Sequence, residues 1–204
     1  GQTTAMADRL LDYCLTLGAY VEANLWGRGQ IPAFDKIETE LDNVRAALAW
    51  SLQGGKAEKG LQLATALGWF FSERNYCYEG LVWLEQLLAA TPNASAHLRA
   101  KGWQNACALA GMIGDKRAEY FCKQALTVAK ANNDLWNVAW TLSHFGLHKY
   151  ENHEVAEALE IMPALTAQSS LLHLNPDEAL AALEESIVLF RQLDDHMGLC
   201  HTLI

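Results

Sequence analysis

The sequence predicts an all-α chain, with about nine or ten helices paired as antiparallel hairpins and stacked into a right-handed solenoid. Three observations carry that expectation. Apolar residues recur at steps of three and four nearly everywhere, as the buried face of a helix requires, and no stretch alternates long enough for a half-buried strand. Proline is scarce, 4 in 204 residues, which suits long uninterrupted helices. A pattern of small residue, apolar or small residue four on, then small or apolar residue three further on, returns at intervals near that of a two-helix unit.

The elements follow in order. Phe34, Ile37, Leu41, Val44, Leu48 and Leu52 trace one face of a helix that Pro32 can start and Gly54-Gly55 can end. Beside that face Asn43, Ala47 and Trp50 form a second, partly apolar flank, so this helix is expected between two neighbours, with Asn43 bonded to a neighbouring helix or loop instead of meeting solvent. The small-residue pattern falls at Gly60-Ala64-Leu67, Gly80-Leu84-Leu87, Ala118-Cys122-Ala125 and Ala179-Leu183-Ser186. "EGLVWLEQLLAAT", "AEYFCKQALTVAKANND" and "EALAALEESIVLFRQLDD" each read as an amphipathic helix ending before a polar turn. "KGLQLATALGWFFS", "AHLRAKGWQNACALAGM", "LWNVAWTLSHFGLHKY" and "HMGLCHTLI" supply partner helices.

From Gly80 to Ala118 the step is 38 residues (118 minus 80), close to the roughly 34 of a tetratricopeptide unit. From Ala118 to Ala179 it is 61 (179 minus 118), too long for one unit. The excess is assigned to an irregular insertion at residues 152–174, broken near Pro163. Residues 1–204 are read as a single tetratricopeptide-like repeat domain.

Composition narrows the function. Half of the residues are hydrophobic (51%) and 19% are charged, so a well-packed core is expected. Against 15 Lys and Arg stand 24 Asp and Glu, a net charge of -9, the wrong sign for a surface that neutralises phosphates. Direct contact with nucleic acid is not expected. No apolar run approaches the roughly 18 to 20 residues of a membrane span, and no basic-then-apolar leader opens the chain, so a cytoplasmic protein without membrane contact is expected. Cys14, Cys77, Cys107, Cys122 and Cys200 form no C-x-x-C pair, and are expected to pack as small apolar groups. The chain opens on Gly1 and stops within what reads as a helix, as a piece of a longer protein would.

Three stretches go beyond a generic repeat: "LWGRGQIPAFDKIETELDNVRAALAWSLQGG", "GLQLATALGWFFSERNYCYEGLVWLEQLLAATPNA" and "EESIVLFRQLDD". Together they resemble the tetratricopeptide-like region of large bacterial transcriptional regulators of the LuxR and AfsR type, multidomain signal-transducing ATPases. The resemblance spans most of residues 8–204, and "ELDNVRAALAW" and "EGLVWLEQLL" are its most specific parts. It implies a sensor or protein-contact arm, with ATPase and DNA-binding domains elsewhere in the same protein. Residues 152–174 depart from the pattern.

Chemistry-bearing motifs are thin. Gly55-Lys56 is followed by Ala57 and preceded by a helix, where a phosphate loop needs Ser or Thr after the lysine and a strand before it. It reads as a helix-ending turn. His144 and His148 stand at i and i+4, with His153 and Glu154 beyond, yet there is no H-E-x-x-H and no closed set of four ligands. The acid pairs Glu184-Glu185 and Asp194-Asp195 read as exposed faces and turns, because neighbouring helix positions point in different directions. No Cys, Ser or His lies in a nucleophile motif, and neither enzyme activity nor a cofactor or metal is expected.

Seven tryptophans offer a different function. Trp69, Trp103, Trp136 and Trp140 fall on the first helices of their hairpins, and Trp140, His144 and His148 make a stripe at i, i+4 and i+8. A tryptophan at helix spacing also serves as core. Aromatics beside convergent polar groups are what a ligand or peptide groove needs. These six residues are therefore the candidate binding set, for a protein segment or small effector on the concave face. A plain scaffold that joins partner proteins without sensing a ligand is the alternative.

Overall fold

The computed structural model describes residues 2–160, 176–195 and 198. Among them the chain forms ten helices and no strand: α1 (Gln2–Ala23), α2 (Gln30–Thr39), α3 (Leu41–Gln53), α4 (Ala57–Ala66), α5 (Gly68–Glu73), α6 (Cys77–Ala90), α7 (Ala96–Met112), α8 (Ala118–Ala131), α9 (Leu135–Glu160) and α10 (Pro176–Gln192). The all-α expectation stands.

Helices near one another in sequence pack as neighbours. α3 lies on α1, α6 on α4, α8 on α7 and α10 on α9. Between these pairs α4 meets α1, α7 meets α4, and α9 meets α7, while α6 touches α3 and α9 also touches α8. Leu11, Val21, Phe34, Ile37, Val44, Leu48, Leu61, Leu67, Phe70, Leu84 and Phe121 belong to one continuous apolar cluster along this series. Such contact only between near neighbours is what helices with two buried flanks produce.

Five of the turns share one chemistry. Gly55, Asn75, Gly114, Asn133 and Asp194 all take positive φ, between 53 and 71°. In each case the next residue's N–H bonds back five positions: Lys56 to Ser51, Tyr76 to Phe71, Asp115 to Ala110, Asp134 to Ala129 and Asp195 to Phe190, at 2.7 to 3.0 Å. This left-handed cap satisfies a carbonyl that the helix end would leave bare. Glycine and asparagine are the residues that enter that conformation most readily, so the "polar turns" of the sequence have a specific task.

Small residues sit where helices come close. Gly60 of α4 is buried under α3 and α6: a Cβ added there would overlap the Ser51 side chain and come within 2.7 Å of Leu87 Cδ2. Ala118, Cys122 and Ala125 of α8 are each 0% exposed.

Three expectations need correction. The helix expected from Pro32 to Gly54 is two helices, broken at Glu40, whose φ of -99° and ψ of 8° leave the helical region. Phe34, Ile37, Leu41, Val44 and Leu48 are nonetheless all buried, because a one-residue bend keeps the stripe facing the core. "KGLQLATALGWFFS" is likewise divided at Leu67 into α4 and α5. Asn43 meets solvent after all: it is exposed, in the first turn after the bend, and its Nδ2 donates to Glu40 Oε2 of that bend at 2.6 Å, not to another helix.

Cysteine pairing differs too. Cys107 and Cys122 form a disulfide between α7 and α8, where facing hairpin positions lie 5.1 Å apart at Cα, within disulfide reach. Cys14 and Cys77 are buried free thiols, as expected, and burial pushes the Cys14 thiol up to about 11. Residues 152–160 of the expected insertion continue α9. Pro163 and the rest of that insertion, with Cys200 and most of "HMGLCHTLI", lie outside the described residues.

Candidate functional site

The first helices of the pairs, α1, α4 with α5, α7 and α9, share one face, and tryptophans gather on it. Trp69 of α5 meets Trp140 of α9 edge-on, with ring centroids 5.8 Å apart. His144, one turn along α9, lies 5.8 Å from Trp140 and 6.4 Å from Trp69. Trp136 tilts against Trp140 at 6.0 Å. Edge-to-face contacts of this kind are worth roughly 0.5 to 1.5 kcal/mol each beyond buried area.

Four of the six candidates are thus brought together. Trp103 is not: from α7 it turns toward α8, stacking on Phe121 at 5.9 Å and meeting Tyr120 edge-on. Its indole N–H is buried with no acceptor among the described residues. His148 is placed on α9, and its side chain lies outside the description.

A fifth ring completes the cluster. Trp26, in the segment after α1, lies parallel to Trp140 at 6.2 Å and edge-on to Trp69 at 5.0 Å. Its place off the helices gave it no periodic signal. Trp26 and Trp136 are 39% and 37% exposed, while Trp140 is 3% exposed, so the cluster has a buried floor and open rims.

Two cavities flank Trp69. One, of about 230 Å³, is lined by residues that include Trp69, Glu73, Gln104, Met112, His144 and Leu147. The other, of about 370 Å³, includes Glu22, Trp26, Lys101, Trp136, Trp140 and Asp195. Trp69, Gln104 and Asn105 belong to both.

Gln104 is the unusual member. It is 5% exposed, its side chain makes no hydrogen bond among the described residues, and it lines both cavities, where its amide is open to whatever fills them. Asn105 beside it is satisfied, donating from Nδ2 to the Thr65 carbonyl at 2.9 Å. That bond holds α7 against the end of α4. Gly68 makes room for it, since a Cβ there would stand 2.7 Å from Asn105 Cγ. A polar pair inside the otherwise apolar "GWQNACALA" was the available signal for both residues.

Two polar contacts fix the surrounding helices. Lys101 of α7 pairs with Glu22 of α1 across the larger cavity. Asp134, ahead of α9, accepts from the Asn137 N–H and Nδ2 and contacts His97 Nδ1 at 2.7 Å. Burial raises its carboxyl, and those hydrogen bonds outweigh it, leaving the group below its ordinary value. Among the described residues, no three His, Cys, Asp or Glu side chains converge as metal ligands would, and no helix is long and apolar enough to cross a membrane.

The arrangement is all-helical among the described residues, with two cavities that share an aromatic wall. The chain is 27% identical over 177 residues, 82% of its length, to proteins of Mycobacterium bovis and Mycobacterium tuberculosis that carry the name HTH-type transcriptional regulator. It spans 18% of the length of those relatives. No family model matches it, and no solved structure does. The distant likeness supports a transcription-regulator context.

Proposed function

We propose that this chain is a non-enzymatic, effector-sensing region of a multidomain bacterial transcriptional regulator of the LuxR type, working in the cytoplasm. Its helical pairs stack as a tetratricopeptide-like solenoid, and a small effector or protein segment occupies the tryptophan-lined face. ATPase and DNA-binding domains of the same protein receive the signal. The likeness to named regulators supports the context. The observation that supports the sensing role is the pair of cavities that share Trp69 and Gln104 as lining residues, with the Gln104 amide open to them.

Sensing requires that the ligand bind two conformations unequally. The break at Leu67 offers a place for that difference, because Trp69 stands on the short α5 while Gln104 stands on α7. A ligand gripping both fixes their relative position.

Thermal-shift screening of the chain against a metabolite library tests the reading. A ligand that binds the folded form raises the melting temperature, and Trp69→Leu should erase that rise. A blank screen, with partner proteins still captured, would favour the scaffold reading instead.

A further inference from the structure

The charge around Trp69 identifies what kind of molecule the site takes. On the smaller cavity the charged carboxylate is Glu73, which makes no ion pair among the described residues. On the larger one stand Glu22 and Asp195, and Lys101, the one Lys or Arg lining it among the described residues, is held by Glu22. Asp195 accepts a hydrogen bond from the Gly198 N–H at 2.9 Å. Among the described residues, carboxylates therefore outnumber ammonium groups around both chambers. The tryptophan faces have the same polarity, since an aromatic ring is negative over its face and attracts cations.

Gln104 adds a directional requirement. Its amide, open to both cavities, can present either an acceptor or donors. In a field set by Glu73 and the indole faces, the group that best meets it is a cationic donor. Met112, Leu109 and Leu147 line the same chamber, so an apolar body can follow the charged head.

We infer that the paired cavities bind a protonated organic amine carried on an apolar body, its ammonium donating to Gln104 Oε1 near Trp69 and Glu73. This rests on the effector-binding reading of the same face and supplies its ligand class. Anionic metabolites are excluded by the same field that admits the amine, and a neutral alcohol of equal shape forgoes the attraction.

Three probes with one ring separate these cases: phenethylamine, phenethyl alcohol and phenylacetate, titrated into the full chain by calorimetry and tryptophan fluorescence. The amine should bind, more weakly as salt rises, and the anion should not. Glu73→Gln, at an exposed position, should weaken amine binding roughly tenfold while leaving the melting temperature in place. Gln104→Leu should weaken the amine and the alcohol alike, since both donate to Oε1, while the amine keeps the advantage that Glu73 and the rings supply. Equal binding of alcohol and amine, or no effect of Glu73→Gln, overturns the charge assignment while the effector site stands. If none of the three probes binds, the amine assignment fails; a metabolite library that then still finds a Trp69-dependent ligand keeps the sensing reading, and a blank library sinks both.

Discussion

Gly68 and Asn105 should behave as one unit, and a double-mutant cycle measures it. Asn105→Ala removes the Nδ2 donor that meets the Thr65 carbonyl at 2.9 Å in a buried setting, at a cost of about 1 to 3 kcal/mol. Gly68→Ala drives a methyl to within 2.7 Å of Asn105 Cγ. Overpacking of that kind costs about 1 to 3 kcal/mol, offset by up to about 1 kcal/mol of helix propensity. In the double variant the methyl enters space the amide has left, so the clash disappears. The double loss should fall short of the sum of the single losses by about 1 to 2 kcal/mol. Urea unfolding followed by circular dichroism gives all four stabilities. Losses that add to within about 0.5 kcal/mol would refute the argument, since they would mean that α5 and α7 do not meet through these side chains.

Three further outcomes follow from single contacts. Reducing the Cys107–Cys122 bridge, which closes a separation of 15 residues, should lower stability by about 3 kcal/mol, and Cys107→Ser should become insensitive to reductant in the same urea assay. Glu79 is held below the usual carboxylate range, chiefly by hydrogen bonds from Arg45 with burial opposing; a depressed folded-state value means stability present at neutral pH and lost as pH falls through it. Arg45→Met should therefore cost most near neutrality and progressively less toward about pH 3 in a melting series. Asn43→Leu should leave the melting temperature nearly unchanged, within about 0.5 kcal/mol of stability, because its bond to Glu40 is made in solvent.

Periodicity proved informative where packing is local and silent where geometry is not. The stripe from Phe34 to Leu48 is legible because each residue keeps its side at steps of three and four. The bend at Glu40 within it is not, since glutamate is a good helix former and the apolar rhythm runs on through the break. Gly60 and Ala118 announced close helix approach by size alone. The disulfide could not be foreseen from spacing, because fifteen residues form no motif until a hairpin folds them back.

At the site the division is similar. Trp69, Trp140 and His144 were legible as aromatics on first helices, and the fold brings them together. Trp103 shares that placement, yet one position separates it from Gln104, and about a third of a helical turn points it at Phe121 instead. Trp26 lacked any helical register, so only the tertiary structure could add it. Gln104 is the residue that burial reveals, since nothing in a glutamine's identity says whether it meets water.

The wall that Trp69 makes between the two chambers also gives this protein an optical property. Trp26, Trp69, Trp136 and Trp140 are linked by ring contacts of 5.0 to 6.2 Å, close enough for excitation absorbed by one indole to pass to the others. Emission from the cluster is therefore collective, and a molecule that quenches or shifts one ring changes the signal of all four. Either chamber reports its occupancy without a label.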